Sequence, residues 1–467
     1  MASVDTLRER RPRSATSVVF GGVLHFRRVE RYLKARLLWH RVYRATSYIK
    51  SALWFAPLVA LLVVLAVAPL VRALDMRFGW RIGGLSVGGA QSLYETVITL
   101  TLSFVVFTFG SLLVAIQVAG GQLTPRIIAT ALLRDNVVRG SVGLFVFTLI
   151  FAVTALDRQE TKVHELAALI VTVLGIVCVA VFLFLIDYAA RLLRPVSILA
   201  RIGDQGLQVI EAVYPSLASQ EAEHDERRRD DLGIPQRVVR HAGSSEIVLA
   251  VDVETLLLQA TRARSAIEFI PQVGDFVAHD EPLFALYGAA ASIADRKLFA
   301  AVVFGAERTL EQDPMFALRI MVDIALKALS PAINDPTTGV LAIDQIHRFL
   351  RAVGQHQLHG EVITDKLGDG LLIYRTPNWE DFVHVACCEI RSYGAGNVQI
   401  ARRLRAMLEN LCLSLPAHRH AALVDERERL ELMLPGLYPV ASDLALARCA
   451  DAQGLGGSSA TRPAYIR

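Results

Sequence analysis

Charge is what this sequence lacks, and it lacks it in blocks. Between Lys50 and Arg72 no residue is charged, and the run "SALWFAPLVALLVVLAVAPLV" fills the gap. About 20 such residues suffice to cross a bilayer core. Three more gaps follow, between Glu95 and Arg126, Arg139 and Asp157, and Glu165 and Asp187. The third is near the short end for a span. With 53% hydrophobic residues and a mean hydropathy of +0.41, the chain is too apolar for an ordinary soluble enzyme. Four membrane spans are the expectation.

Cysteine is scarce as well. The five are Cys178, Cys387, Cys388, Cys412 and Cys449, an odd count without framework spacing. That excludes a disulfide scaffold and fits a reducing compartment. The first apolar run is too long and too far along for the h-region of a cleavable leader. Catalytic signatures are missing too: no phosphate-cradling glycine loop, no nucleophile elbow, no HExxH. Asp381, His384 and Cys388 fall at helical spacing, but no second half-site matches them, so no metal site is expected. The chain does not read as an enzyme, and no cofactor is implied.

What is present is basic and placed at one end. Residues 1–50 carry twelve Lys and Arg against Asp5, Glu9 and Glu30. Arg126, Arg134 and Arg139 lie between the second and third runs, and Arg191, Arg194 and Arg201 follow the fourth. By the positive-inside bias both termini belong on the cytoplasmic side of the membrane. The net charge of +4 hides this polarity, which suits anionic lipid headgroups rather than nucleic acid. "VERYLKARLLWHRVYRATSYIK", residues 29–50, reads as an interfacial helix, and Thr124-Pro125 opens a short elbow helix.

The expected organisation is a basic segment with its interfacial helix over 1–51 and a four-helix membrane domain over 52–190. A juxtamembrane helix and charged linker occupy 191–243. A cytoplasmic α+β domain follows over 244–434, then a C-terminal tail over 435–467 whose last residues, "GLGGSSATRPAYIR", read as disordered. In that domain "EIVLAVD", "AIEFI" and "LFAAVVFG" read as strands. "VGDFVAHDEPLFAL" and "DKLGDGLLIYRTP" read as hairpins, and the remainder as helices.

Three groups of side chains are candidates for function. The first is the corner "SPAINDP". Asp313-Pro314 and Asp335-Pro336 are N-cap and N1 pairs, Pro331 stops the first helix, and Asn334 suits a left-handed φ. Ser330, Asn334, Asp335, Thr337 and Thr338 thus form either a structural turn or a ligand corner at a helix N-terminus. The second is a polar stripe on the second span, Thr96, Thr99, Ser103, Gly110 and Gln117, beside a stripe of Thr101, Thr108 and Ala115. Such stripes pack helices closely or line water. The third is a partly buried ion-pair network of Glu307, Arg308 and Asp323. No ionisable residue is expected inside a span.

"SPAINDP", "GAERTLEQDP" and "GGQLTPR" together resemble the signature segments of a bacterial predicted membrane protein family, domain of unknown function 2254. The resemblance implies four N-terminal spans and a cytoplasmic α+β domain, and no settled activity. Thr337 stands where the family often has an aromatic residue. The leading functional expectation is an oligomeric channel-like or transport protein with a cytoplasmic regulatory domain. The rival is a membrane-tethered sensor or scaffold that passes no solute.

Overall fold

The computed structural model describes residues 54–78, 84, 86–122, 135–157, 164–192, 194–217, 232–358, 362–364 and 370–457. The interfacial helix, the elbow helix, the charged run of the linker and the last ten residues of the tail lie outside them.

Four helices are long and apolar enough to cross a membrane: α1 (Phe55–Phe78), α2 (Val87–Gln122), α3 (Asn136–Asp157) and α4 (Glu165–Leu192). Their windows have mean hydropathies of 2.0 to 3.2 and are mostly unburied in the bundle, as lipid-facing helices are. Two clusters hold them together. Val64, Tyr94, Val97, Phe151 and Ala168 pack at one end. Phe104, Phe145, Cys178 and Leu185 pack at the other, where Phe104 stacks on Phe182 at 4.2 Å. Gly175 permits the close approach of α4 to α2: a Cβ there would lie 3.0 Å from Val97 Cγ2.

The helices run past the uncharged gaps that announce them. Helix α1 continues through Arg72, Asp75 and Arg77, and α2 begins eight residues before Glu95. Asp75 is buried within a candidate span. The expectation of spans free of ionisable residues is therefore corrected. A charge ends an apolar run, but backbone hydrogen bonds carry the helix on into the interface.

A mixed helical and sheet region follows α4, and the chain as a whole divides into two compact units, each taking part of that region. The expected domain over 244–434 contributes residues to both units. One unit takes in residues 225–306 and 361–375. Its described strands are β1 (Arg237–Arg240), β2 (Glu246–Val251), β3 (Ala266–Phe269), β4 (Phe276–Val277), β5 (Pro282–Leu286), β6 (Val302–Gly305), β7 (Val362–Thr364) and β8 (Leu371–Tyr374). Helices α6 (Val253–Ala263) and α7 (Asp295–Phe299) join them. One sheet has the order β1-β5-β3-β8-β7 and the other β4-β2-β6. Phe269, Leu283, Phe284, Leu286 and Leu372 anchor the core.

Two local readings change here. "VGDFVAHDEPLFAL" is no hairpin, because β4 pairs with β2 while β5 pairs with β1 and β3 in the other sheet. Asp280 at φ 65° turns the chain between the two sheets. "LFAAVVFG" opens as the end of α7 and only then becomes β6. At the second expected hairpin β7 pairs antiparallel with β8, but β7 lies just before the expected segment, and residues 365–369 are outside the described residues.

The other unit holds the four long helices and a second bundle: α5 (Pro195–Val213), α8 (Pro314–Ala328), α9 (Pro336–Gln355), α10 (Trp379–Gly394), α11 (Val398–Ser414), α12 (His420–Leu437) and α13 (Ala441–Ala447). Phe316, Ile320 and Ile324 of α8 and Val340, Ile343, Ile346 and Leu350 of α9 face its core. Past 435 the tail carries the end of α12 and the short α13, and is described through residue 457.

Candidate functional site

The two stripes of α2 have different fates. Thr101, Thr108 and Ala115 are buried against the neighbouring helices. Thr96, Thr99, Ser103, Gly110 and Gln117 are all exposed on the outer surface of the bundle. At 1.5 Å per residue, Thr96 to Gln117 covers about 32 Å of helix, the thickness of a hydrocarbon core. Glu95, also exposed, borders the stripe, and α2 contains no Lys, Arg or His. The hydroxyls donate back to their own helix: Thr96 to Ser92 O at 2.7 Å, Thr99 to Glu95 O at 2.8 Å, Ser103 to Thr99 O at 2.8 Å. Their hydrogens are used internally, so each oxygen presents lone pairs outward.

At the corner the structure brings the five predicted residues into one turn. Asn334 adopts φ 49°, and its amide donates to Ser330 O at 2.8 Å. The Asp335 amide donates to Ala328 O at 2.8 Å, closing the end of α8. The Asp335 carboxylate caps α9, accepting from Thr338 N at 3.1 Å on one oxygen and from the Thr338 hydroxyl at 2.5 Å on the other. Ser330 donates to Lys327 O at 2.7 Å, and Thr337 is exposed. Gly339 is needed behind the cap, because a Cβ there would meet Leu329 Cδ2 at 2.9 Å and Ile400 Cδ1 at 3.1 Å. The Ser330 and Thr338 hydroxyls and the Asp335 carboxylate are engaged within the corner and at the ends of two helices.

The Glu307, Arg308 and Asp323 network does not form. Glu307 and Arg308 are exposed, and Arg308 approaches Asp313 at 4.0 Å. Asp323 instead accepts from Arg319 Nε at 2.7 Å, and the same guanidinium donates its fork to Glu389 at 2.7 and 2.8 Å. The Glu389 hydrogen bond and the nearby carboxylates push the Arg319 guanidinium further up, while Arg319 holds the Glu389 carboxyl below its usual range. The i,i+4 pair Arg319–Asp323 was readable from spacing. Glu389, seventy residues away in sequence, was not.

Two further polar ties carry no signature in the sequence. Asp75 of α1 accepts from His164 Nδ1 at 2.8 Å and, more distantly, from Leu166 N at 3.4 Å, so it caps α4 from another helix. Beside it is a small cavity whose polar lining is Arg72, Asp75, Thr154 and His164. Asp135 caps α3 through Val137 N at 2.9 Å and Val138 N at 3.1 Å. Its second oxygen accepts from Tyr188 Oη at 2.6 Å and Arg201 Nη1 at 2.9 Å. Among the described residues no cluster of three His, Cys, Asp or Glu is placed to hold a metal.

With this architecture in view, comparison with known proteins gives a family. The model of the family described as "Predicted membrane protein (DUF2254)" matches residues 50–410. The chain belongs to that family. The match covers the four long helices, the corner and most of both units. Curated relatives include the uncharacterized proteins Mb1321c of Mycobacterium bovis and Rv1290c of Mycobacterium tuberculosis. Each is 24% identical over 380 residues, which is 78% of this chain and 72% of the relative. No solved structure matches.

Proposed function

We propose that this DUF2254 member is an oligomeric, channel-like or transport protein of the bacterial inner membrane, with α2 lining an axis between copies. The observation that carries the reading is the exposed polar stripe of α2, which runs the thickness of a bilayer on the outside of the single bundle. Hydroxyls, an amide and a glycine along that length are poor lipid ligands and good pore or packing surfaces. Outward lone pairs, Glu95 and the absence of any basic residue on α2 favour cations over anions. Both termini lie in the cytoplasm on this reading, and the basic N-terminal segment rests on anionic headgroups. The protein carries out no catalysis and engages no nucleic acid.

The test is conductance of the purified chain in planar bilayers. Stepwise cation currents, reduced by Ser103→Phe, are expected. Silence across cations and anions at protein densities that give intact reconstituted oligomers overturns the reading. The sensor or scaffold alternative draws on a different feature, the tie between Asp135 and Arg201, which links the long helices to the second bundle. Under it, bilayers stay silent.

A further inference from the structure

We infer that the Asp135–Arg201 pair is a mechanical joint that delivers movement of the second bundle to the long helices. The argument begins with α5. Its buried face, Ile198, Leu199, Ile202 and Ile210, lies in the core formed with α8 to α12. Two glycines bring its backbone directly onto that core. A Cβ at Gly203 would stand 2.7 Å from Gln345 Oε1, and one at Gly206 would stand 2.8 Å from Phe349 Cε2 and 3.0 Å from Ala317 Cβ. The far end is fastened as well: Gln357 N donates to Ser216 O at 2.8 Å. Helix α5 therefore moves with α8 and α9.

Its near end meets the long helices. Pro195 starts α5 three residues after α4 ends, and one turn and a half further on Arg201 reaches Asp135. The Asp135 side chain is only 4% exposed. It holds the first turn of α3 with one oxygen, and the end of α4, through Tyr188, with the other. Arg201 also donates to Tyr188 Oη, at 3.4 Å. One carboxylate thus joins three helices, and Arg201 is the member that belongs to the second bundle. The carboxylate is buried and the guanidinium half-buried, so the pair is a discrete contact that is either made or broken, which suits it to pass a displacement on rather than absorb it.

The test separates transmission from mere support. Gly206→Ala places a methyl group against Phe349 and displaces α5. In full-length, cysteine-free protein, spin labels at Asn136 and Leu113 report the distance between the start of α3 and α2; both positions are exposed. Gly206→Ala should shift that distance by on the order of 1–2 Å, the size of helix shifts in coupled proteins. In an Asp135→Asn background the shift should vanish. Asn caps about as well as Asp, so α3 keeps its start while the charge is gone. An equal shift in both backgrounds, or none in either, overturns the inference. If Gly206→Ala does not fold, Phe349→Trp serves, because it enlarges the ring that the α5 backbone rests on at Gly206.

Discussion

Asp335 offers the sharpest separation between a helix cap and a ligand site. Asp335→Ala removes the acceptor for Thr338 N and for the Thr338 hydroxyl. Loss of an N-cap costs about 1 kcal/mol. Thr338 is buried, so its hydroxyl must find another acceptor, and the total expected is about 1–2 kcal/mol. At roughly 1–2 °C per kcal/mol for a unit of this size, the melting temperature should fall by about 1–4 °C. Asp335→Asn keeps an acceptor oxygen on the amide and should melt within about 1 °C of the parent. Thr338→Val keeps the amide-to-carboxylate cap and loses only the hydroxyl bond, so it should fall between them. The assay is thermal unfolding of the detergent-solubilised full chain at one scan rate, because the corner belongs to the same compact unit as the long helices. If Asp335→Asn destabilises as much as Asp335→Ala, the negative charge matters in itself and the cap account fails.

Other outcomes follow from the same geometry. His347 is pushed below its ordinary range of about 6.5 by burial and by Arg403, so the folded ring is held neutral. Its contribution is complete above that value and is lost as the pH falls through the folded one; stability should drop below about pH 6.5, less steeply in His347→Gln. An equally steep drop in the variant assigns the loss to other groups. Ser103→Leu with Gly110→Leu should lower the particle mass seen by light scattering without disturbing the subunit, since both positions are exposed and nothing lies within 4 Å of a Cβ at Gly110. A parent that is already monomeric refutes the axial role of α2. Single cysteines at Ser14 and Ser458 should resist impermeant thiol reagents in intact cells; labelling of either from outside overturns the four-span topology.

What could be read from the sequence was local. The long helices were legible because an uncharged run leaves few alternatives, though their ends were not. Arg72 and Glu95 bounded the runs while the helices continued through them. The caps at Asp313 and Asp335 were legible because capping is chemistry over three residues, and both side chains accept as expected, from Phe316 N and Thr338 N. The candidate network failed where partners came from elsewhere in the chain. Asp323 had an Arg one turn before it, and Glu389 was brought in by packing of α10 on α8. The false hairpin at 273–286 failed for a related reason. Alternating apolar residues and a turn predict two strands, not which sheet each one joins. On α2 the residue types were legible, but only the fold could say which stripe is covered.

The way β8 enters its sheet bears on the order of events at the ribosome. Strand β8 lies parallel to β3, pairing Ile267 with Leu372, more than a hundred residues later. Between them the chain builds α8 and α9, which belong to the other unit. As the protein is made, β1, β5 and β3 emerge early and pair, but β3 keeps an open edge until β8 has been synthesised. Distant pairings of this kind form slowly, because the intervening loop must be closed first. The nascent chain thus carries an unfinished sheet while its first membrane helices are already available for insertion. Truncation anywhere between α8 and β8 should leave that edge exposed, making the fragment prone to aggregation even though every strand before β7 is intact.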